Sequence, residues 1–181
     1  MHPPKNLKEL RGLQDRFAYI RRFIVNLSGR CQPFTRLMKK GVSFVWDQTC
    51  QEAFDDIKRY LTKPPVLVAP TSGKPFLLYV KSMDHSLSAL LAQKNDDGHE
   101  QAIYYLSRTL IEAESRYIPI EKECLALVFA IQKTRHYLVG QTIHVISRVN
   151  LLRLLMMKLG SLNSRLAKWA SFCLSMTCSV S

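Results

Sequence analysis

Acidic residues are missing from the last third of this sequence. No Asp or Glu follows Glu123, whereas seven basic residues do: Lys133, Arg135, Arg148, Arg153, Lys158, Arg165 and Lys168. A carboxylate pair for acid–base chemistry, or a carboxylate cage for a hard cation, therefore has to come from the first two thirds. Apolar runs are also short: none approaches the ~20 residues that cross a bilayer, so we expect no membrane partner.

Cysteine patterns that bind metal or form bridges are absent as well. The chain has five cysteines, an odd number, and no two of them show the C-x-x-C spacing of a zinc site. Cys124 lies within an apolar stretch, where a thiol packs as a small hydrophobe. The N-terminus MHPPKNLKEL has no apolar stretch of the signal-peptide kind. These features predict an intracellular chain without disulfides, in the nucleus or the cytoplasm.

What the chain has in excess is positive charge. Lys and Arg number 26 against 14 Asp and Glu, which gives a formal net charge of +12. A surface of one sign attracts polyanions, so nucleic acid is the favoured class of partner. A basic soluble domain without nucleic-acid function would show the same balance, so the charge alone does not decide between the two.

Apolar residues recur at helical spacing near the N-terminus. Between residues 7 and 27 they lie three or four positions apart, which predicts one amphipathic helix with Gly29 as its stop. Arginines occupy other positions of the same stretch. In an isolated chain the apolar face would be exposed, so self-association through residues 7–27 is one candidate function.

A second helical segment follows a basic loop. Residues 42–46, VSFVW, predict a short strand before it. Asp47 or Thr49 is suited to cap the helix, since both side chains accept hydrogen bonds from backbone N–H groups. Pro64-Pro65 ends the helix, because proline cannot continue a helix and disfavours the helical conformation of the residue before it.

The middle of the chain alternates in the manner of strands. Residues 75–93 predict two strands joined by a turn, and residues 101–107 predict a third. Asn95-Asp96-Asp97-Gly98 between the second and third is a strong hairpin signal. A helix over residues 119–138 and a strand over residues 142–147 complete the pattern, which predicts an antiparallel meander followed by a helix and a fourth strand.

The motifs carry a family resemblance. Residues 101–140 read QAIYYLSRTLIEAESRYIPIEKECLALVFAIQKTRHYLVG, and this block resembles the RNase H-like domain of gypsy-class LTR-retrotransposon polyproteins, which follows the reverse transcriptase. Residues 6–70 resemble the connection after the polymerase thumb, although the segment LQDRFAYIRRFI departs slightly from the family's LGL.NYYRRFI. The resemblance covers about residues 3–170.

The resemblance implies an α/β fold with an RNase H-like mixed sheet. Three antiparallel strands are followed by a helix and by a further strand beside the first, and a helical connection segment precedes them. We expect a thumb/connection-like segment over residues 1–70, a truncated RNase H-like domain over 71–160, and a C-terminal helix with an atypical tail over 161–181. Residues 150–158 and 162–172 are expected to be helical.

The same resemblance locates the family's metal ligands. Active members cut RNA in RNA–DNA hybrids with two divalent ions, Mg²⁺ being the usual metal, held by acids on the first strand, the helix and the fourth strand. Here these positions are Lys81, Glu123 and Arg148, and the family's last Asp has no counterpart. Two carboxylates become two cations, so we expect a degenerate, inactive site without a metal or other cofactor. The alternative is an active Mg-dependent ribonuclease.

A surface that holds a nucleic-acid backbone can outlast the chemistry. Lys and Arg contacts to phosphate give affinity that falls with salt, so we expect weak, salt-dependent binding of an RNA–DNA hybrid or other nucleic acid. The candidate cations are Lys81, Arg148, Arg153, Lys158, Arg165 and Lys168. An ion pair of Lys81 or Arg148 with Glu123 would instead close the site and leave a structural module.

Other residues with reactive or stacking side chains are expected to have structural roles. Asp84 marks the turn after the first strand. His136 lies at the end of the long helix, where the dipole favours a cation, and His144 alternates along a strand. Trp46 and Trp169 stand among apolar neighbours, which favours core anchors over base-stacking platforms.

Overall fold

The N-terminal part of the chain folds as a cluster of helices. The computed structural model describes residues 2–148. Asn6 starts the first helix, because its side chain accepts a hydrogen bond of 2.9 Å from the backbone N–H of Glu9. The helical elements are α1 (Leu7–Ile20), a 3₁₀ helix (Arg21–Phe23), α2 (Leu27–Arg30), α3 (Gln32–Leu37) and α4 (Gln48–Thr62).

The prediction of a single helix over residues 7–27 is wrong, because α1 ends at Ile20. After the 3₁₀ helix, Ile24 is extended and fully buried. Asn26 then takes a left-handed conformation with φ +49°, and its side-chain oxygen accepts a hydrogen bond from the N–H of Gly29. Gly29 therefore lies inside α2 and stops no helix.

The apolar side chains of this stretch are buried within the chain itself. They form a core cluster with α3 and α4, whose buried members are Leu10, Leu13, Phe17, Ile24, Leu27, Cys31, Phe34, Leu37, Cys50, Phe54 and Ile57. The expectation that residues 7–27 expose an apolar face is therefore wrong. The argument for self-association through that face loses its basis.

Residues 42–46 do not form the predicted strand and pair with no strand within residues 2–148. Trp46 instead packs against aromatic rings, with its ring centroid 5.4 Å from that of Phe34 and 6.0 Å from that of Phe54. This packing confirms Trp46 as a core anchor. The helix after it is also confirmed: Asp47 caps α4 by accepting a 2.9 Å hydrogen bond from the N–H of Cys50.

A four-stranded mixed sheet follows, and it confirms the predicted fold class. Its strands are β1 (Phe76–Ser82), β2 (Ser86–Lys94), β3 (Glu100–Thr109) and β4 (Ile143–Ile146). The spatial order is β3-β2-β1-β4, with β1, β2 and β3 antiparallel and β4 parallel to β1. The turn before β3 is the predicted one, and Gly98 supplies its positive φ of 82°.

The long helix α6 (Pro119–Leu138) crosses between β3 and β4, after the short α5 (Glu112–Ser115). Proline at the first helical position and the Glu121 carboxylate, which accepts a hydrogen bond from the N–H of Ile118, define its start. Its apolar side packs on one face of the sheet, against Phe76, Leu78 and Val80 of β1 among others. Side chains alternate along a strand, so the neighbouring residues of β1 point to the opposite face.

The helical segment and the sheet are joined around α2. Ser28 donates from its backbone N–H to the hydroxyl of Ser107 on β3, at 3.1 Å. Asn26 accepts a hydrogen bond from the hydroxyl of Ser86, and its amide nitrogen lies 3.4 Å from the sulfur of Met83.

Among the helices described, none is long and apolar enough to cross a membrane. The predicted helices at 150–158 and 162–172, and Trp169, lie outside the described residues.

Candidate functional site

The parallel pairing of β1 with β4 brings two of the predicted site residues together. Tyr79 of β1 is the register partner of Ile146 of β4. Lys81 follows Tyr79 by two residues on β1, Arg148 follows Ile146 by two residues just beyond β4, and both line the same cavity beside the sheet. Both are exposed. The sheet therefore places two cations at the carboxyl ends of adjacent strands.

Glu123 reaches the same place from α6. Its side chain is 5% exposed, and its Oε2 atom accepts a 2.6 Å hydrogen bond from the backbone N–H of Ser82, the residue after Lys81. The three positions named from the sequence thus meet at one end of the sheet. Lys81 lies on β1, Glu123 on α6 and Arg148 just after β4, and their correspondence to the family's ligand positions stays a prediction.

The chemistry of this cluster does not suit a divalent metal ion. A hard cation takes several carboxylate or carbonyl oxygens, and here two cations stand beside one buried carboxylate. Within residues 2–148 no group of three or more His, Cys, Asp or Glu side chains is placed to hold a metal. The residues present therefore do not fit the magnesium site of active family members.

The ion pair considered from the sequence is not formed. Across residues 2–148, no salt bridge links Glu123 to Lys81 or to Arg148. The carboxylate instead serves the backbone of β1. Both cations consequently keep their charge directed to solvent at the end of the sheet.

Other candidate residues lie outside the lining of the cavity that Lys81 and Arg148 share. Asp84 is exposed in the turn between β1 and β2, which the Met83 N–H closes by a 2.8 Å hydrogen bond to the carbonyl of Ser86. His136 is exposed in the last turn of α6, and His144 lies on β4. The remaining candidate cations, Arg153, Lys158, Arg165 and Lys168, lie outside the described residues.

The buried thiols of Cys31 and Cys124 are poorly suited to nucleophilic or metal-binding chemistry. Burial raises the pKa of Cys124 to about 11, and the neighbouring Glu123 and Glu121 charges add to the effect. Burial likewise raises the pKa of Cys31 to about 12. A thiol with such a pKa stays protonated at neutral pH and is a poor nucleophile and metal ligand. Cys124 packs as the small hydrophobe that its position predicts.

A row of side chains that sequence reasoning missed crosses the sheet beside the two cations. Register pairing joins Tyr105 of β3 to Leu90 of β2, Leu90 to Tyr79 of β1, and Tyr79 to Ile146 of β4. We call these four residues the sheet row. They are half-buried, and none belongs to either core cluster. The strand alternation was visible in the sequence, but only the register shows that the four residues form one row.

The sheet row lines a cavity of about 510 Å³ on the face away from α6. Lys81 and Arg148 stand at one end of the cavity, and Val25 and Asn26 of the helical segment form a wall. The Tyr79 hydroxyl donates a 2.6 Å hydrogen bond to Glu100. Burial, and then that carboxylate, raise the pKa of Tyr79 to about 12, so its phenol stays neutral.

Comparisons with known proteins agree with this architecture. A family model described as "RNase H-like domain found in reverse transcriptase" matches residues 46–145. The Tf2-3 and Tf2-4 transposon polyproteins of Schizosaccharomyces pombe are each 34% identical over 173 residues, which cover 93% of this chain. The chain spans only 13% of the length of these curated relatives.

Solved structures show the same fold. A foamy viral protease-reverse transcriptase in complex with dsDNA matches with a TM-score of 0.80 at 21% identity, over 100% of this chain and 39% of that one. The same kind of protein in complex with an RNA/DNA hybrid matches with a TM-score of 0.76 at 22% identity, over 99% of this chain and 25% of that one. The chain therefore belongs to the family of RNase H-like domains found in reverse transcriptases, and corresponds to the part of a retrotransposon polyprotein that carries such a domain.

Proposed function

We propose that this chain is a non-catalytic module of a gypsy-class element, which binds an RNA–DNA hybrid or related nucleic acid weakly and cuts nothing. In this proposal residues 1–70 are the thumb/connection-like segment, residues 71–160 the truncated RNase H-like domain, and residues 161–181 a C-terminal helix and tail. Glu123 is the only retained member of the family's ligand set.

The observation that carries the proposal is that Lys81 and Arg148 line one cavity at the end of β1 and β4, while buried Glu123 is bonded to the backbone of Ser82 next to Lys81. In this proposal two acids of the family are replaced by cations. The site therefore repels Mg²⁺ at the place where an active relative would attract two ions. Two-metal hydrolysis depends on ions that clamp the attacking and leaving oxygens. Among the residues that the structure describes, no group of three or more His, Cys, Asp or Glu side chains could hold such ions.

The same substitution favours phosphate. A backbone phosphate that metal ions would bridge in an active relative can be contacted directly by the Lys81 ammonium and the Arg148 guanidinium, which are both exposed. Foamy viral relatives of this fold have been solved with dsDNA and with an RNA/DNA hybrid, which supports nucleic acid as the partner class. Arg153, Lys158, Arg165 and Lys168 would extend the basic surface.

The test uses a labelled RNA–DNA hybrid with the purified chain, in Mg²⁺ or Mn²⁺, at low and moderate salt. Cleavage and gel shift are read from the same samples. We expect a shift that weakens with salt and no metal-dependent cleavage. Charge reversal of Lys81 and Arg148 to Glu should abolish the shift, whereas reversal of Lys94 and Arg116, exposed cations outside the cluster, should weaken it less.

Two other outcomes would contradict the proposal. Metal-dependent cleavage by the wild-type chain that disappears in Glu123→Gln would show an active ribonuclease and refute the proposed loss of catalysis. Absence of both shift and cleavage would refute nucleic-acid binding and leave a structural role.

A further inference from the structure

The cavity over the sheet row combines an apolar, aromatic floor with two cations, and phosphate binding alone would engage only the cations. Its floor is the sheet row, with two phenol rings and two aliphatic side chains. The next row along the strands is polar: Ser107 pairs with Ser88, and Ser88 pairs with Lys81. Arg148, two residues after Ile146, also lines the cavity. One end of the cavity is therefore apolar and aromatic, and the other end is cationic.

No acidic side chain is among the described residues that line this cavity. An anionic ligand would thus touch no acidic lining residue, and two positive groups would hold it at one end. The nearby carboxylates are both engaged, Glu100 with the Tyr79 hydroxyl and buried Glu123 with the Ser82 N–H. The volume of about 510 Å³ falls within the ~300–1,000 Å³ usual for small-molecule sites, which are mostly apolar with a few placed polar groups.

We propose that this cavity binds a single nucleotide, with the base on the rings of Tyr105 and Tyr79 and the phosphate between Lys81 and Arg148. The inference rests on the proposed function, because it gives the same two cations a phosphate to hold. It goes further in predicting that an unpaired nucleotide, free or within a single strand, is the preferred ligand.

The aromatic rings favour a nucleotide over other amphipathic anions as the ligand. Aromatic side chains on a sheet surface stack unpaired bases, and the interaction tolerates any base because each has a π-face. The hydrogen bond from Tyr79 to Glu100 fixes one ring in place before the ligand arrives. Asn26 and Ser88 add polar groups at the wall and near the cations. A fatty acid would need none of these features.

The experiment uses the full chain and two probes: a short fluorescein-labelled single-stranded RNA read by anisotropy, and unlabelled AMP as competitor. We expect AMP to displace the strand. Tyr105→Ala should weaken strand binding about tenfold, since stacking of one base is lost. Tyr105→Phe, which keeps the ring, should stay within about twofold of wild type on the same grounds.

A matched control is Tyr19→Ala. Tyr19 is 91% exposed on α1 and lies outside the cavity lining, so its loss should leave strand binding unchanged. Leu90→Trp provides a second variant, which fills the floor of the cavity and should reduce binding without removing a ring. Melting curves of each variant establish that the fold is intact.

Binding of the paired hybrid separates this inference from the proposed function. If Lys81→Ala with Arg148→Ala weakens hybrid binding while Tyr105→Ala and Leu90→Trp leave single-strand binding intact, the nucleotide site is refuted and the proposed function stands. If the cation changes alter neither ligand's binding, both fall. Failure of AMP to compete, or equal displacement by decanoate, would also refute a nucleotide site. Loss of strand and AMP binding in Tyr105→Ala, with rescue in Tyr105→Phe, supports it.

Discussion

Ser82 donates its backbone N–H to the buried carboxylate of Glu123 over 2.6 Å, which ties α6 to the end of β1 directly beside Lys81. The family position for a metal ligand is thus occupied by a carboxylate that accepts a hydrogen bond from the main chain. Within residues 2–148, neither Lys81 nor Arg148 forms a salt bridge with Glu123. The hydrogen bond to Ser82 is therefore the contact through which Glu123 contributes to the fold.

Replacement of Glu123 by leucine should destabilise the fold. The Ser82 N–H would lose its acceptor, and an unpaired buried donor costs about 1–3 kcal/mol. Glu123→Gln keeps a carbonyl oxygen of the same reach and should cost less than about 1 kcal/mol. Urea unfolding of the two variants measures the difference in the free energy of unfolding. Equal losses in both would show that the hydrogen bond is not what makes Glu123 important.

Restoring acids should restore metal affinity. Lys81→Asp with Arg148→Asp would place two carboxylates in one cavity, at the strand end that Glu123 contacts, and hard cations bind such oxygen clusters. We expect Mn²⁺ binding, measured by the loss of its free-ion electron spin resonance signal, in the double variant and none in the wild type at this site. Lys133→Asp with Arg135→Asp makes the same change in net charge at exposed positions of α6 that are two residues apart and do not face each other, and this variant should bind no Mn²⁺. Equal binding by the wild-type chain would contradict the account.

The sequence predicted the strands and the long helix that carry Lys81 and Glu123 because the relevant signals were local. Strand alternation, the hairpin turn at Gly98 and the helical periodicity of residues 119–138 each depend on a few neighbouring residues, and the structure confirms all three. Lys81 and Glu123 were identified through the family resemblance, and the Ser82 hydrogen bond brings them together.

What the sequence did not reveal depends on contacts between distant segments. The break after Ile20 exists because Ile24 is buried in the helical core and Asn26 turns left-handed to cap α2. The sheet row depends on register, which pairs residues up to 67 positions apart, Tyr79 with Ile146. Periodicity along one segment contains no information about either.

Asn26 and Gly29 should be energetically coupled. A Cβ added at Gly29 would lie 2.8 Å from Oδ1 and 2.9 Å from Cγ of Asn26, the side chain that caps α2. Gly29→Ala should therefore displace this cap, and loss of an N-cap costs about 0.5–2 kcal/mol. In an Asn26→Gly background, which keeps the positive φ and removes the clash, Gly29→Ala should cost little or stabilise α2.

Thermal unfolding of the two single variants and the double variant completes the cycle. The change in stability from Gly29→Ala should differ between the two backgrounds by about 0.5–3 kcal/mol, the range of contacting pairs. Gly12→Ala is a suitable control, because nothing lies within 4 Å of a Cβ at that position. Additive effects at Asn26 and Gly29 would show that the cap tolerates the extra methyl group.

Acid stability should depend on Glu114. Arg108 donates hydrogen bonds of 2.6 and 2.8 Å to its two carboxylate oxygens and holds the pKa of Glu114 below its usual value. Burial opposes this effect, and the backbone N–H of Ile111 adds a further hydrogen bond that lowers the pKa. Because the folded pKa lies below the unfolded one, the stabilisation is present above the unfolded pKa of ~4.3 and is lost as the pH falls through the folded pKa.

Glu114→Gln should remove this part of the pH dependence. We expect urea midpoints of the wild type to fall more steeply than those of Glu114→Gln as the pH drops below about 5, since only the wild type takes up a proton there on unfolding. Glu112→Gln tests the same chemistry at a side chain that is 91% exposed and 4.0 Å from Arg116. Such an exposed pair contributes little, so its variant should follow the wild-type curve. Identical slopes for Glu114→Gln and the wild type would mean that Arg108 does not hold the Glu114 proton equilibrium in solution.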